Sequence, residues 1–250
     1  VLSRLQLHRY PFDMTRLFCD FPLAIGENIE LPKDAARHIM VLRLSAGDTL
    51  TLFNGLGGEY QARITRIDRQ RVTTEIVSHS SREAELPYRI TLAQGIPEAT
   101  KMDWIIEKSV ELGVSDIIPL AAQRSVVRLD KDRAEKRLSR WQAIAISAAQ
   151  QCGRNRLPHI ASPAGTGEYL RQTTPSHRIL FSPRATETLP EWARRQKPQD
   201  ITLMIGPEGG FSPEEETMAE QEGVTFLSMG SRILRTETAG LAAVAAINAL

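Results

Sequence analysis

The sequence predicts an α/β protein in two parts, a small β-domain followed by a larger domain with a mostly parallel sheet. Three observations predict it. Residues 16 to about 80 break into short β-like pieces separated by glycine-bearing turns. From residue 88 onward, strands alternate with helices, which is the grammar of a parallel sheet. In the last fifth of the chain, two strands run into glycine-bearing turns that each open a helix. Such turns leave bare backbone at the carboxyl ends of strands, where open α/β folds hold their ligands.

In the first part, residues 34–40 read as the one helix. The strand 49–53 runs into Asn54-Gly55-Leu56-Gly57-Gly58, and the chain returns through 60–64. Residues 71–77 alternate as a half-buried strand does. These pieces compose a small β-barrel over residues 14–80. A polar stretch ending in Pro87 provides the linker at 81–87, and residues 88–250 form the α/β domain. Val1 to Asp13 read as an extension of open status and stay outside the functional argument.

In the second part, 89–94 is a strand, and 102–112 is a helix that Gly113 closes. Residues 115–120 are a strand, 133–151 a long amphipathic helix, and 178–181, 201–205 and 225–229 further strands. The apolar strand 201–205 enters Gly206-Pro207-Glu208-Gly209-Gly210. Ser212-Pro213-Glu214-Glu215 then starts a helix, with serine as N-cap, proline at the first position and acids in the first turn. The last strand enters Met229-Gly230-Ser231-Arg232, and a small-residue helix follows from Thr238. Two such turns so close in sequence point to one ligand pocket built from both.

Of the 250 residues, 42% are hydrophobic and 24% charged, the balance of a globular protein with a full core. A net charge of +1 makes the whole chain no polycation. Between Arg124 and Arg156, however, nine Lys or Arg stand against three acids. That excess reads either as a face for phosphate contacts or as a solvated helix with internal ion pairs. Composition alone favours the second. Cys19 and Cys152 lie far apart in no CxxC pattern, and the five histidines lack ligand spacing. A cytoplasmic protein without a metal site is therefore expected. No apolar run approaches the ~20 residues of a membrane helix, so no membrane partner is expected.

The segments IGPEGGFSPEE at 205–215 and LSMGSRILRTETA at 227–239 resemble the signature of the SPOUT-class RNA methyltransferases. Within that class they resemble the RsmE branch, which methylates N3 of a uridine in small-subunit (16S) ribosomal RNA. WIIEKSVELGVSDIIPL at 104–120, RSVVR at 124–128, AAQQCGRNRLP ending at Pro158 and the block 38–64 extend the match from about Met14 to the end. Met229 stands where the family usually carries leucine, a swap of similar volume.

The resemblance implies a SPOUT domain with a deep trefoil knot, a PUA-like RNA-binding barrel, S-adenosylmethionine as cofactor and a homodimer. Its substrate is ribosomal RNA, within the assembled small subunit. Cofactor contacts carry over to Leu180, Phe181, Ile205, Gly206, Pro207, Glu208, Gly209, Gly210, Met229, Gly230, Ile233, Leu234 and Thr238. Arg235 and Glu237 fall beside the transferred methyl as the catalytic pair, or form a plain ion pair. RNA contacts fall on Arg16, His38, Arg43, Arg124 and Arg154. Glu208 is expected to set the glycine turn rather than to approach the sulfonium. N3 of uridine must lose its proton to be methylated, and an arginine near the ring carbonyls favours the anion electrostatically. Another RNA target (ribose 2′-O, transfer RNA) and a non-catalytic RNA-binding assembly factor stay open as alternatives.

Overall fold

The computed structural model describes residues 15–98, 100–125, 131–172, 176–196 and 199–249. The extension at 1–13, and Arg128 of the basic segment, lie outside them. The chain divides into two compact units. The first holds the residues up to Ala84 together with Ala149–Leu157; the second holds Glu85–Ala148 and Pro158–Leu250. The segment 149–157, which strand–helix alternation assigns to the second part, thus packs with the first. Among the described residues, no helix is long and apolar enough to cross a membrane. No group of three His, Cys, Asp or Glu among them is placed to hold a metal.

The first unit comprises β1 (Arg16–Phe18), β2 (Asn28–Glu30), α1 (Lys33–Val41), β3 (Thr49–Phe53), β4 (Glu59–Asp68) and β5 (Arg71–Ser80). Its strands pair in the order β1-β3-β4-β5-β2, parallel at β1–β3 and antiparallel elsewhere. Alternating residues Leu50, Leu52, Ala62, Ile64, Val72 and Ile76 close on Ala36 and Ile39 of α1 in one core. Strand alternation in the sequence is what places them on one face. Helix α1 ends with Arg43 at φ 56°, the left-handed conformation usually left to glycine. The amides of Arg43 and Leu44 bond back to Met40 O and Ile39 O, closing the helix.

A second, polar centre lies beside this core. Arg16 Nη1 meets Glu59 Oε2 at 2.6 Å, and Arg82 grips the same carboxylate at 2.8 and 3.1 Å. Arg16 Nη2 also donates to Asn155 Oδ1 at 2.6 Å, and Asn155 Nδ2 donates to Arg82 O at 2.6 Å. The Arg16 guanidinium lies 5.2 Å from the Phe53 ring centre. Two expected RNA contacts are thereby corrected. The Arg16 side chain is only 7% exposed and is spent on neutralising Glu59. Arg154 is 3% exposed, buried in the 149–157 segment rather than displayed on a basic face.

The second unit comprises β6 (Ile90–Gly95), α2 (Lys101–Glu111), β7 (Asp116–Ala121), α3 (Lys131–Cys152, its last turn in the first unit), β8 (His159–Ile160), β9 (Ala164–Gly165) and α4 (Thr166–Leu170). It continues through β10 (His177–Phe181), α5 (Leu189–Ala193), β11 (Ile201–Ile205), α6 (Pro213–Gln221), β12 (Thr225–Leu227) and α7 (Thr236–Asn248). The sheet is parallel throughout, in the order β12-β10-β11-β6-β7-β8, with β9 beside β7. Every residue of central β11 is buried, which explains its unbroken apolar run. β12 stops at Leu227 because Ser228 turns to pair with the 187–189 segment: its amide donates to Glu187 O and its carbonyl accepts from Leu189 N. Helix α7 packs on α2, β11 and β6.

Burial pushes the Glu59 carboxyl up, but hydrogen bonds from Arg82 and Arg16 outweigh that and hold it below the ordinary glutamate value. A depressed folded value stabilises the fold above the unfolded pKa of about 4.3 and loses that contribution as pH falls through the folded pKa. Glu59→Gln should therefore lower stability at neutral pH by about 3 kcal/mol, since it strands two arginines. It should also flatten the acid limb below about pH 4.5. Urea unfolding midpoints between pH 7 and pH 3 measure both, and a variant that tracks the wild type throughout would refute the role.

Candidate functional site

At the carboxyl end of the parallel sheet, the segments after β10, β11 and β12 enclose a cavity of about 600 Å³. Volumes of this size hold small-molecule ligands. Its floor is backbone. The Gly206 to Gly210 turn forms one wall, Met229 to Leu234 another, and Phe181 with Ser182 a third. Phe181, Ile205, Ile233 and Leu234 supply apolar lining. Arg235 and Glu237 stand at the start of α7, and Lys101, Arg124, Arg184 and Glu216 complete the lining.

Close backbone approach explains the glycines. A Cβ on Gly206 would lie 2.9 Å from Gly210 Cα, and one on Gly95 would lie 2.6 Å from Pro207. Side chains at either point would force the turns apart. The helix after the turn is capped as its sequence foretells. Ser212 Oγ accepts from Glu215 N, and Glu215 Oε2 accepts from Ser212 N, completing a capping box. The other oxygen of buried Glu215 accepts from Gln123 N at 3.0 Å, tying the loop after β7 to this turn.

Charged groups hold the turn from outside. Glu208 Oε1 accepts from Lys101 Nζ at 2.6 Å and from Glu98 N at 3.1 Å. Burial raises the Glu208 carboxyl, but these bonds win and hold it below its ordinary value. The Lys101 ammonium is pushed up by its bond to Glu208 and by the field of Glu208 and Glu237. Glu208 therefore ties the glycine turn to the segment after β6 and the start of α2. Arg124, expected to face RNA, is exposed and lines the cavity, and its Nη1 donates to Gly209 O at 3.1 Å. Arg184 reaches Glu216 across the cavity lining.

Thirteen of the fifteen residues assigned to cofactor or catalysis line this cavity. Leu180 does not: alternation along β10 turns it into the core with Ala93, Met204 and Phe211, opposite to Phe181. Thr238 does not either, because it lies about 200° around α7 from Thr236 and is exposed. The alternative reading of Arg235 and Glu237, a plain ion pair, is not seen among the described residues. Arg235 is exposed, its guanidinium makes no hydrogen bond or ion pair, and Glu237 Oε2 is buried without a partner. His38 and Arg43 lie exposed in the first unit.

Lys101, Arg184 and Glu216 of the lining escaped the sequence reading, as did two buried side chains that join its walls. Thr236 Oγ1 donates to Gly206 O at 2.6 Å and accepts from Gln94 Nε2 at 2.9 Å. Gln94 is fully buried at the end of β6. Its signal was present in the sequence: a single amide closing an apolar parallel strand must have internal partners.

Comparison with known proteins also divides the chain near residue 80, but puts 149–157 within the second match. The RNA methyltransferase domain family matches residues 84–248, and the RNA methyltransferase PUA domain matches residues 31–77. Ribosomal RNA small subunit methyltransferase E of Buchnera aphidicola (subsp. Schizaphis graminum) is 35% identical over 93% of this chain and 94% of its own. The Bacillus subtilis protein of that name is 32% identical over 86% and 87%. Among solved structures, ribosomal RNA small subunit methyltransferase E of Neisseria gonorrhoeae, bound to S-adenosyl methionine, aligns with a TM-score of 0.87 at 38% identity. A methyltransferase of Legionella pneumophila in complex with the bound cofactor SAM aligns at 0.89 and 36%. Each alignment covers 94% of this chain and 97% of the other.

The glycine geometry separates clash from strain. Gly206→Ala drives a Cβ onto backbone and should cost about 3 kcal/mol. Gly210→Ala meets nothing within 4 Å and is limited only by φ 69°, so it should cost about 1–2 kcal/mol. Urea denaturation of both variants checks the order, and equal or reversed losses would refute it.

Proposed function

This chain belongs to the ribosomal RNA small subunit methyltransferase E family, and from that premise we propose that it methylates N3 of a uridine in small-subunit ribosomal RNA, using S-adenosylmethionine. The observation that carries the reading is the cavity at the strand ends, backbone-floored and apolar-walled, with an unpaired arginine beside it. The residues present fit the cofactor. Phe181, Ile205 and Leu234 offer apolar surface to a purine and ribose, and exposed turn backbone matches adenine's polar edge. The partnerless carboxylate oxygen of Glu237 suits a cationic ligand. When bound, the cofactor supplies an electrophilic methyl on a positively charged sulfur.

The chain's own residues then have three tasks. Apolar walls exclude water, which strengthens every charge interaction inside. The 206–210 and 229–234 turns hold the reactants in line. The Arg235 guanidinium, free of other partners, stabilises the negative charge that uridine acquires as its imino proton leaves. Glu237 lies two residues on and lines the same wall, where it orients the reacting groups. Uridine N3 pairs inside a duplex, so the target base must be unpaired or extruded to reach this cavity.

RNA contacts belong to the first unit through His38 and Arg43, and the assembled subunit is the substrate we favour. We further propose a cytoplasmic homodimer whose C-terminal segment is knotted. The knot reading is supported by α7 returning from edge strand β12 to pack on β11 and β6. The dimer reading is supported by Ile233, an apolar residue at the cavity that is 84% exposed.

Mass spectrometry of nucleosides from ribosomal RNA tests the reading directly. Deleting the gene should remove one N3-methyluridine, and restoring it should return the mark. Loss of a ribose 2′-O-methyl mark instead would overturn the assignment. In single-turnover assays on assembled small subunits, Arg235→Ala should slow methyl transfer about 100-fold or more. Its cofactor dissociation constant should change less than about threefold, because the lost interaction belongs to the transition state. Arg235→Lys should recover only part, lacking the planar fork. A normal rate for the alanine variant at saturating cofactor would remove Arg235 from catalysis.

Arg43 makes a separate prediction, because its φ of 56° is an unfavourable conformation for a residue with a side chain. Arg43→Gly should raise stability by about 1 kcal/mol. RNA affinity should nonetheless fall, and the salt slope of binding should shrink by about 1. A stabilised variant with unchanged RNA affinity and slope would show that Arg43 does not meet phosphate.

A further inference from the structure

We propose that Gln94 is a positioning residue for cofactor capture, acting at one remove from the cavity by orienting the Thr236 hydroxyl that joins its two walls. The inference rests on reading the cavity as the S-adenosylmethionine site. Gln94 contributes no lining atom. It sits at the end of β6, paired in register with Ile205, the last residue of β11 before the glycine turn.

The argument is a count of protons. Thr236 Oγ1 is 2.6 Å from Gly206 O, which can only accept, so the single hydroxyl proton is spent there. At the same oxygen, Gln94 Nε2 stands at 2.9 Å and must therefore be the donor. The second amide proton of Gln94 goes to Gly95 O at 3.0 Å, again a pure acceptor. Two acceptors thus fix the amide in one orientation, because the flipped form would set its oxygen against Gly95 O. Gln94 Oε1 is left facing α7, where no protein donor reaches it. A Cβ built on Gly240 would come within 3.3 Å of that oxygen.

A fully buried amide with an unsatisfied oxygen is an expensive way to fill a core. An apolar side chain of similar shape would avoid that loss. What the amide provides, and an apolar residue cannot, is a directed chain from Gln94 through Thr236 to Gly206 O. That chain holds the first residue of α7 against the first residue of the 206–210 turn. Arg235 and Glu237 flank Thr236, so the register of both with respect to the turn depends on the same hydroxyl. Gln94 therefore sets the relative position of the two walls that must close on one ligand.

Gln94→Met, Thr236→Val and Thr236→Ser separate this role from mere packing. Gln94→Met should unfold in urea at or above the wild-type midpoint, yet bind S-adenosylmethionine at least about tenfold more weakly by calorimetry. Thr236→Val should weaken binding similarly, and Thr236→Ser, which keeps the hydroxyl, should stay within about threefold of wild type. Amide hydrogen exchange without cofactor should quicken at 206–212 and 236–240 in Gln94→Met and Thr236→Val alone. A wild-type protein that fails to bind S-adenosylmethionine would sink the cofactor reading, while the exchange data would still judge the relay. If Gln94→Met does not fold, the two Thr236 variants decide. Folded Gln94→Met and Thr236→Val with wild-type affinity and wild-type exchange would overturn the proposal.

Discussion

All strands of the larger sheet run the same way, so their carboxyl ends release backbone polar groups along one edge, where the chain must turn without covering them. That crowding governs the site. At Gly95 and Pro207 the turns after two neighbouring strands approach so closely that a methyl group would clash at 2.6 Å. At Gly206 the turn folds on itself within 2.9 Å of where a side chain would begin. Glycine and proline meet the steric part of the problem, and the Thr236 hydroxyl meets the polar part by taking the Gly206 carbonyl. The cavity is what remains when these demands are satisfied. Its floor is bare backbone because nothing larger fits.

Charge is distributed by a related logic. Arg16 and Arg82 converge on Glu59, Lys101 is taken by Glu208, and Arg184 by Glu216. Each pair joins segments distant in sequence, and each consumes a cation that a simple count would assign to a phosphate. Arg124 is exposed yet already directed at Gly209 O. Arg232 and Arg235 are different: both line the cavity, and neither guanidinium has a partner among the described residues. A planar cation without a partner keeps its field for whatever enters the cavity.

The same contrast explains what could be read from the sequence. The long elements, the capping box at Ser212 and Glu215 and the glycine turns were legible because their signals are local: periodicity, cap chemistry and bare backbone. Most of the cavity lining was legible because it falls in two continuous runs, 205–210 and 229–237. Short pieces such as β8, β9 and α4, of two to five residues, carry too little periodicity to declare themselves. Leu180 was misplaced by taking a strand end whole, although adjacent residues face opposite ways. Arg16 and Arg154 were misplaced because burial is a tertiary property. No local feature distinguishes an arginine that neutralises Glu59 from one that meets RNA. The membership of 149–157 in the first unit was invisible for the same reason, since Asn155 finds its partners only across more than seventy residues of chain.

The three helices that follow the last strands are begun in two different ways, and the difference bears on chemistry. Thr188 with Glu191, and Ser212 with Glu215, close full capping boxes on α5 and α6. Helix α7, the longest of the three, begins at Arg235 with no side-chain cap. A capped start has its N-cap amide answered by a carboxylate and an amide of its first turn by a hydroxyl. An uncapped start keeps the positive end of the helix dipole available, here beside a guanidinium. The Glu237 carboxylate, in the first turn of α7, already stands at that positive end, beside the buried, neutral pair Gln94 and Thr236. The wall thus sets an exposed guanidinium and a buried carboxylate oxygen on either side of the Thr236 hydroxyl.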